Sequence, residues 1–295
     1  MPSLKSIRKR ITSTKATQKI TRAMKMVAGA RLTRAQQRIV ALRPYAVKTS
    51  EVLNAVAAVA HSNDPNPNDD VPAHPLLARR PEKKVLYVVL SSDRGLCGAF
   101  NTNVNKAALR SAREAKDNGV EAHFVTIGKK SREFLTRRGV EIDHDFTRIY
   151  DGLDLSKSRQ VSDWIVPRFR SAEYDAIVLI YNEFKSAITQ KITSERLLPL
   201  VVAEEGVAPA DYDFEPNEAG LLERLVPMYI EVSIFRALLE SQASEYGARM
   251  TAMDAATRNA KDMIGRLTLI YNRARQAAIT KELMEIIGGA EALKE

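Results

Sequence analysis

The chain predicts an α/β layer with a mainly parallel sheet, set between two long terminal helices that pair as an antiparallel coiled coil. Three observations lead there. The first fifty of its 295 residues hold thirteen Lys or Arg, no Asp or Glu, and a helical repeat. A central stretch alternates β-rich apolar runs with helical ones. From about Asn217 a second helical stripe follows, with Pro227 as its one proline.

Over residues 3 to 60, Leu4, Ile7 and Ile11 open an apolar stripe. Leu32, Ala35, Ile39, Leu42, Ala46, Leu53, Val56 and Ala60 continue it at steps of three and four. Thr14, Gln18, Thr21 and Lys25 occupy the same seam, and Ile20, Met24 and Val27 fall on a neighbouring face. Alternating three-four spacing over many turns is the coiled-coil pattern. Such a helix would be about 80 Å long at about 1.5 Å per residue. Its polar upper seam points to contact with something besides the partner helix.

Residues 61 to 82 read as an exposed loop, because HSNDPNPNDDVPAHP is dense in turn formers and in proline, which lacks a backbone donor. Residues 83 to 205 then change character. VLYVVLSS (85–92) and AIVLIYNEF (176–184) suit strands buried on both faces. AHFVTIG (122–128) lies between helical stretches at Asn101–Lys116 and up to Arg138, a third helix spans Ser158–Ser171, and ITQKITSERLLPL adds an edge strand. Strands alternating with helices imply a mainly parallel sheet.

In residues 206 to 295, after a leading loop, the second stripe runs through Leu225, Val232, Phe235, Leu239, Gln242, Tyr246, Met250, Met253, Ala260, Ile264, Leu267, Tyr271, Ala274 and Ala278. A helix of that length, roughly 100 Å, cannot bury its stripe alone. Pairing it with the N-terminal helix is the simplest solution. The acids Glu231, Glu240, Glu245, Asp254 and Asp262 read as its solvated face.

The net charge is +9, so the chain beyond its thirteen early basic residues is net acidic by four. Basicity belongs to one segment. That segment resembles a mitochondrial transit peptide in composition, but its helical pattern continues well past the length of one. No apolar run approaches the roughly 18 residues that span a bilayer. Cys97 is the one cysteine, which excludes an internal disulfide and suits a reducing compartment.

Chemistry is sparse. There is no GxxxxGK[ST] loop, and GKKS at 128–131 lacks the upstream glycine. SSDRGLCGAFN (91–101) lies between a strand and a helix, where nucleotide loops sit, but it carries GLCG and reads as a tight structural turn. Cys97 reads as a small buried residue. His61, His74, His123 and His144 lack metal-ligand spacing. No catalytic residue, cofactor or metal is expected. The basic helix leaves two readings open: nucleic-acid binding or docking inside an acidic protein collar. No aromatic precedes Tyr45 to stack on bases, and Met24, Met26 and Val27 argue for sliding apolar contact with protein.

Four strings carry a family resemblance over essentially the whole chain. IRKRITSTKATQKITRAMKMVAGARL (7–32), SSDRGLCGAFN (91–101), ARMTAMDAATRNAKDM (248–263) and YNRARQAAITKELMEIIGGAEAL (271–293) resemble the motifs of the gamma subunit of bacterial F-type ATP synthases. The resemblance implies a terminal-helix coiled coil with an inserted Rossmann-like domain. It also implies a non-catalytic rotor shaft, coupling ion flow through a membrane c ring to ATP synthesis or hydrolysis at an alpha/beta hexamer. Implied partners are the alpha and beta subunits, the epsilon subunit and the c ring, with no nucleic acid. The implied location is peripheral, on the cytoplasmic face of the bacterial inner membrane. On that analogy Arg8, Arg22, Met24 and Lys25 face acidic lever loops of the beta subunits, and Arg275 and Gln276 face a beta-subunit catch loop. Tyr212, Phe214 and Glu215 lie near the c ring. Members with a thiol switch carry an inserted cysteine pair, so a chain with Cys97 alone is expected to lack it.

Overall fold

A computed structural model of the chain describes residues 3–62, 74–200 and 218–292. In chain order the elements are α1 (Leu4–Ser62), a 3-10 turn (Pro75–Leu77), β1 (Lys84–Leu90), α2 (Phe100–Asp117), β2 (Glu121–Ile127), α3 (Lys129–Thr136), β3 (His144–Phe146), α4 (Leu155–Arg170), β4 (Ala176–Phe184), β5 (Gln190–Leu198) and α5 (Glu218–Ala292). They fall into two compact units. One holds residues 1–28 and 250–295, and the other Gly29–Arg249.

The larger unit is built on a five-stranded sheet of order β3-β2-β1-β4-β5. The first four strands are parallel and β5 returns antiparallel on β4. This order, with the chain reversing direction of travel across the sheet at β1, is that of the doubly wound Rossmann-like fold. Because side chains alternate along a strand, β1 serves two cores. Val85, Tyr87 and Val89 face Val104 and Ala108 of α2 and Leu135 of α3. Leu86, Val88 and Leu90 join Val161, Ile165 and Phe169 of α4 and Leu222, Val226, Ile230 and Ile234 of α5, with Leu53 and Val56 of α1. A strand with apolar residues on both sides reads as a continuous apolar run, which is why VLYVVL was legible as buried.

Two elements differ from the sequence expectation. Pro75–Leu77 forms a 3-10 turn inside the stretch read as an exposed loop, with His74 Nδ1 accepting the Leu76 N–H at 3.2 Å. Leu76 is fully buried in the α4/α5 core and His74 is buried beside it. The short strand β3 was not expected, since three residues carry no usable period. It forms because the edge of β2 is free to pair His144–Phe146.

In the larger unit α1 and α5 run antiparallel: Arg31 lies over the Tyr246 ring, Arg38 over Phe235, and the Tyr45 hydroxyl meets Met228 Sδ. The smaller unit shows the same sense. Thr14 meets Met263, Thr21 meets Thr257 and Lys25 meets Asp254. Pro44 sits inside α1 without ending it; it is exposed, and what it removes is one backbone N–H.

Three helices end in one device, a left-handed residue whose successor donates back to the helix. At α2, Gly119 (φ 77) precedes Val120, whose N–H reaches Ala115 O at 2.9 Å. Gly139 (φ 69) does this after α3, and Ala172 (φ 57) after α4. A Cβ costs about 1–2 kcal/mol in that conformation. Ala172→Gly should therefore raise stability by about 0.5–1 kcal/mol in urea melts, the glycine's unfolded-state entropy offsetting part of the relief. Gly128→Ala should do the opposite. Gly128 has φ +98, and an added Cβ would fall 2.2 Å from the Ser91 carbonyl oxygen. A loss of about 3 kcal/mol or more is expected in the same melts.

Candidate functional surface

The smaller unit is a two-helix tip whose seam follows the predicted steps. Ile7, Thr21 and Ala28 on α1, and Met253, Ala260 and Leu267 on α5, are its buried side chains. Outside the seam it exposes large apolar residues: Ile20, Met26 and Val27 on α1, and Met263, Leu269, Ile270, Ile279, Leu283, Met284, Ile286 and Ile287 on α5. Met26 and Met284 are 63% and 65% exposed. So much apolar surface on one small unit marks a contact surface for other chains. Interleaved with it on α1 are Lys5, Arg8, Lys9, Arg10, Lys15, Lys19 and Arg22, all exposed and with no acid on the same helix segment to offset them.

The expected contact residues divide by environment. Arg8, Arg22, Arg275 and Gln276 are exposed, and Met24 is half-buried at the edge of the seam. Lys25 is different. Its ammonium pairs across the two helices with Asp254, whose other oxygen accepts from Arg258 at 2.8 Å. Tyr212, Phe214 and Glu215 lie outside the described residues.

The structure also gathers a group that the sequence reading passed over. In the larger unit Arg31, Arg34 and Arg38, spaced along one face of α1, line a cleft of about 290 Å³ with Tyr150, Gly152, Leu153, Gln242 and Tyr246. No acid lines it. Arg38 donates to the Leu153 carbonyl, and Arg31 caps the Tyr246 ring at 5.9 Å. The signal was present as three arginines at i, i+3 and i+7, but only the fold brings Tyr150 and Tyr246 to them.

The loop SSDRGLCGAFN lies beyond the C-terminal end of β1, where the strand order reverses and a doubly wound sheet would hold a ligand. Its residues bond one another instead. Asn101 Oδ1 accepts the Ser92 N–H at 3.0 Å, Asn101 Nδ2 donates to Ser92 Oγ at 2.9 Å, and Ser92 Oγ donates to Arg94 O at 2.5 Å. Asp93 accepts the Lys129 N–H at 3.0 Å, and Ser91 Oγ accepts the Ser131 N–H at 2.8 Å. From α5, Arg249 donates to Gly95 O at 3.1 Å while pairing with Glu245 at 2.6 Å. Burial pushes the Glu245 carboxyl up, with Asp93 adding to the shift and Arg249 opposing it. Acidic Glu245 and Asp93 near this crevice oppose a phosphate. Cys97 is buried, and burial pushes its thiol up, away from the thiolate that reacts.

The reading of the α5 acids as a solvated face holds for exposed Asp262 and needs correction for the other four. Glu245 is buried in its ion pair, and Glu240 is half-buried, accepting the Phe184 N–H at 2.8 Å. Glu231 takes Arg159, and Asp254 takes Lys25 and Arg258. Charged residues at helix spacing looked like solvent contacts because their partners lie far away in the chain. Among the described residues no cluster of His, Cys, Asp or Glu could hold a metal, and no helix is long and apolar enough to cross a membrane.

Basic and apolar faces exposed together on a two-helix unit, in a chain that also carries a doubly wound α/β unit, define a class of helical subunit suited to contact with other chains. A family model described as ATP synthase matches residues 3–293. The ATP synthase gamma chain of Sorangium cellulosum (strain So ce56) is 53% identical, and that of Geotalea uraniireducens (strain Rf4) 50% identical, each over the full length of both chains. A chain in the cryo-EM structure of the Euglena gracilis mitochondrial ATP synthase OSCP/F1/c-ring assembly, rotational state 3, is similar in fold. Its TM-score is 0.66 at 20% identity, covering 98% of this chain and 94% of that one. The chain belongs to the ATP synthase gamma-chain family, the central-stalk subunits of the rotor, which are not themselves catalytic.

The Lys25 hydrogen bond holds the Asp254 carboxyl below the ordinary carboxylate range, with Arg258 contributing. A depressed acid stabilises the fold above its unfolded value, near 3.9 for Asp, and that contribution is lost as pH falls through the lower folded value. In a carbon-detected NMR titration Asp254 should reach its midpoint below about 3.9. Lys25→Met should move the midpoint upward; an unmoved midpoint would count against the pair.

Proposed function

We propose that this chain is the shaft that couples ion flow through a membrane c ring to ATP synthesis or hydrolysis in an alpha/beta hexamer. The observation that carries the reading is the surface of the two-helix tip, basic and apolar together, exposed by the isolated chain. Docking inside a collar of other subunits would cover the apolar part and oppose the basic part to acids. Arg8, Arg22, Met24 and Lys25 then meet acidic lever loops of the beta subunits, while Arg275 and Gln276 meet a beta-subunit catch loop. Tyr212, Phe214 and Glu215 are the residues proposed to contact the c ring, on which the chain docks together with the epsilon subunit. Attachment to the membrane is indirect, through the complex, on the cytoplasmic face of a bacterial inner membrane.

Charge suits a surface that must let go repeatedly. Coulomb attraction falls off slowly with distance, so a basic helix can pass from one acidic lever to the next without a single deep packing well. The arginine group at Arg31, Arg34 and Arg38 extends the same logic into the larger unit. Nucleic-acid binding is the poorer reading, since the tip exposes aliphatic and Met side chains where base stacking needs aromatic faces.

The test uses the reconstituted complex. Arg8→Gln with Arg22→Gln should leave assembly intact and lower ion pumping per ATP hydrolysed by about threefold, with a weaker dependence on salt than the parent shows. An unchanged pumping ratio in a fully assembled double variant would remove these residues from the coupling surface.

A further inference from the structure

Within the smaller unit the α1 side of the seam is polar from Thr14 through Gln18 and Thr21 to Lys25, and two adjacent levels pair polar groups across the helices. Thr21 and Thr257 bring their hydroxyls to 2.8 Å, and one turn along, Lys25 pairs with Asp254. Each hydroxyl also has a carbonyl of its own helix within reach, Gln18 O at 3.1 Å from Thr21 and Met253 O at 2.7 Å from Thr257, so either hydroxyl can donate across the seam while the other donates back to its helix. Thr21 is buried, with Ala28 on one side of the layer and Ala260 on the other. Small apolar neighbours of that kind specify alignment poorly, because alanine packs acceptably against alanine or methionine at several offsets.

We propose that the Thr21–Thr257 and Lys25–Asp254 layer fixes the alignment of the two helices of the tip. The reason lies in what surrounds it. No carboxylate exists on α1 before Glu51, so Lys25 must find its counter-charge on α5. Shifted by one turn, Lys25 would meet Thr257 and Arg258 in one direction, or Met250 and Thr251 in the other. Shifted by two turns, it would meet Lys261 and Asp262 or Gly247 and Tyr246. Within one turn of slip in either direction the native offset alone gives it an acid, and one of those slips gives it a like charge, Arg258. A polar residue at a coiled-coil seam is the best-attested device for selecting one alignment over others, at some cost in stability. Lys25 is 45% exposed at its side chain, so the pair acts by discrimination between offsets more than by raw strength.

This inference rests on the shaft reading only for its consequence, that an aligned tip presents its basic and apolar faces in a fixed angular relation. The test separates the two. In the full chain with Cys97→Ser, Thr14→Cys and Met263→Cys place a reporter pair where Thr14 Oγ1 and Met263 Sδ lie 3.9 Å apart. Lys25→Asp or Asp254→Lys should each lower intramolecular crosslinking at least about threefold. The exchange of both should restore it to within about twofold of the parent, and the gentler Lys25→Met, which keeps an apolar seam, should fall between. Single variants that crosslink like the parent, or an exchange no better than the worse single variant, would overturn the proposal. The same variants in the reconstituted complex, without the reporter cysteines, test the shaft reading. Restored crosslinking with pumping unchanged in every variant would keep the alignment role and remove its link to coupling. If Lys25 acted only on a partner's acid, the single variants would crosslink like the parent while pumping fell and the exchange failed to restore it.

Discussion

Each long helix here carries an apolar stripe that it cannot cover by itself, and that constraint organises the rest of the molecule. In the larger unit α5 has two such obligations. Leu222, Val226, Ile230 and Ile234 face the sheet core, while Leu239 and partly buried Phe235 join Ile39 and Leu42 of α1 around the same cluster. A helix buried on two sides leaves few places for charge, which is why its acids have specific partners. Glu240 and Ser244 hold the β4–β5 hairpin by its backbone, at Phe184 N and Asn182 O. One turn on, Gly247 lets the hairpin's Ala187 approach so closely that an added Cβ would sit 3.2 Å from its Cα. Glycine at this mid-helix position follows from that contact and not from any need to bend.

The loop after β1 shows how a position suited to ligand binding can be turned into structure. In nucleotide-binding relatives of this topology the backbone amides there are left open to phosphate. Here Asn101 and Ser92 satisfy each other, Arg249 closes over Gly95, and Glu245 brings negative charge. The left-handed Leu96 (φ 64) and Gly98 (φ 58) turn the chain tightly enough for Cys97 to tuck inside. The motif is distinctive because a short self-bonded turn tolerates few residue types. Its chemistry is that of a brace between sheet and α5.

Charge is segregated for a related reason. On α1 the basic residues have no acid of their own helix to meet before Glu51. Lys25, in the seam, therefore pairs with Asp254 of α5, while Arg8, Lys9, Arg10 and Arg22 present their charge at the exposed surface of the same helix. A helix with mixed signs would neutralise itself through i,i+4 pairs, as Arg249 and Glu245 or Arg258 and Asp254 do on α5. The absence of acids from α1 before Glu51 leaves the field of that segment without neutralisation from its own helix.

By itself the sequence determined the two stripes, the buried strands and the family. Periods of 3.6 and 2 are imposed by backbone dihedrals and survive in the order of residues, so Ile7, Thr21, Leu32 and Leu53 could be placed on one face without coordinates. Tertiary structure alone decided what each polar side chain meets. Lys25 finds Asp254, Arg249 finds Gly95, and Arg31, Arg34 and Arg38 find Tyr150, Tyr246 and the Leu153 carbonyl, all far away in the chain. Leu76 likewise looked like part of a proline-rich loop until a pocket beside α4 received it. A periodic apolar face announces that it will be buried, whereas a charge announces nothing about its partner, because Coulomb and hydrogen-bond contacts depend on distance in space and leave no repeat in sequence.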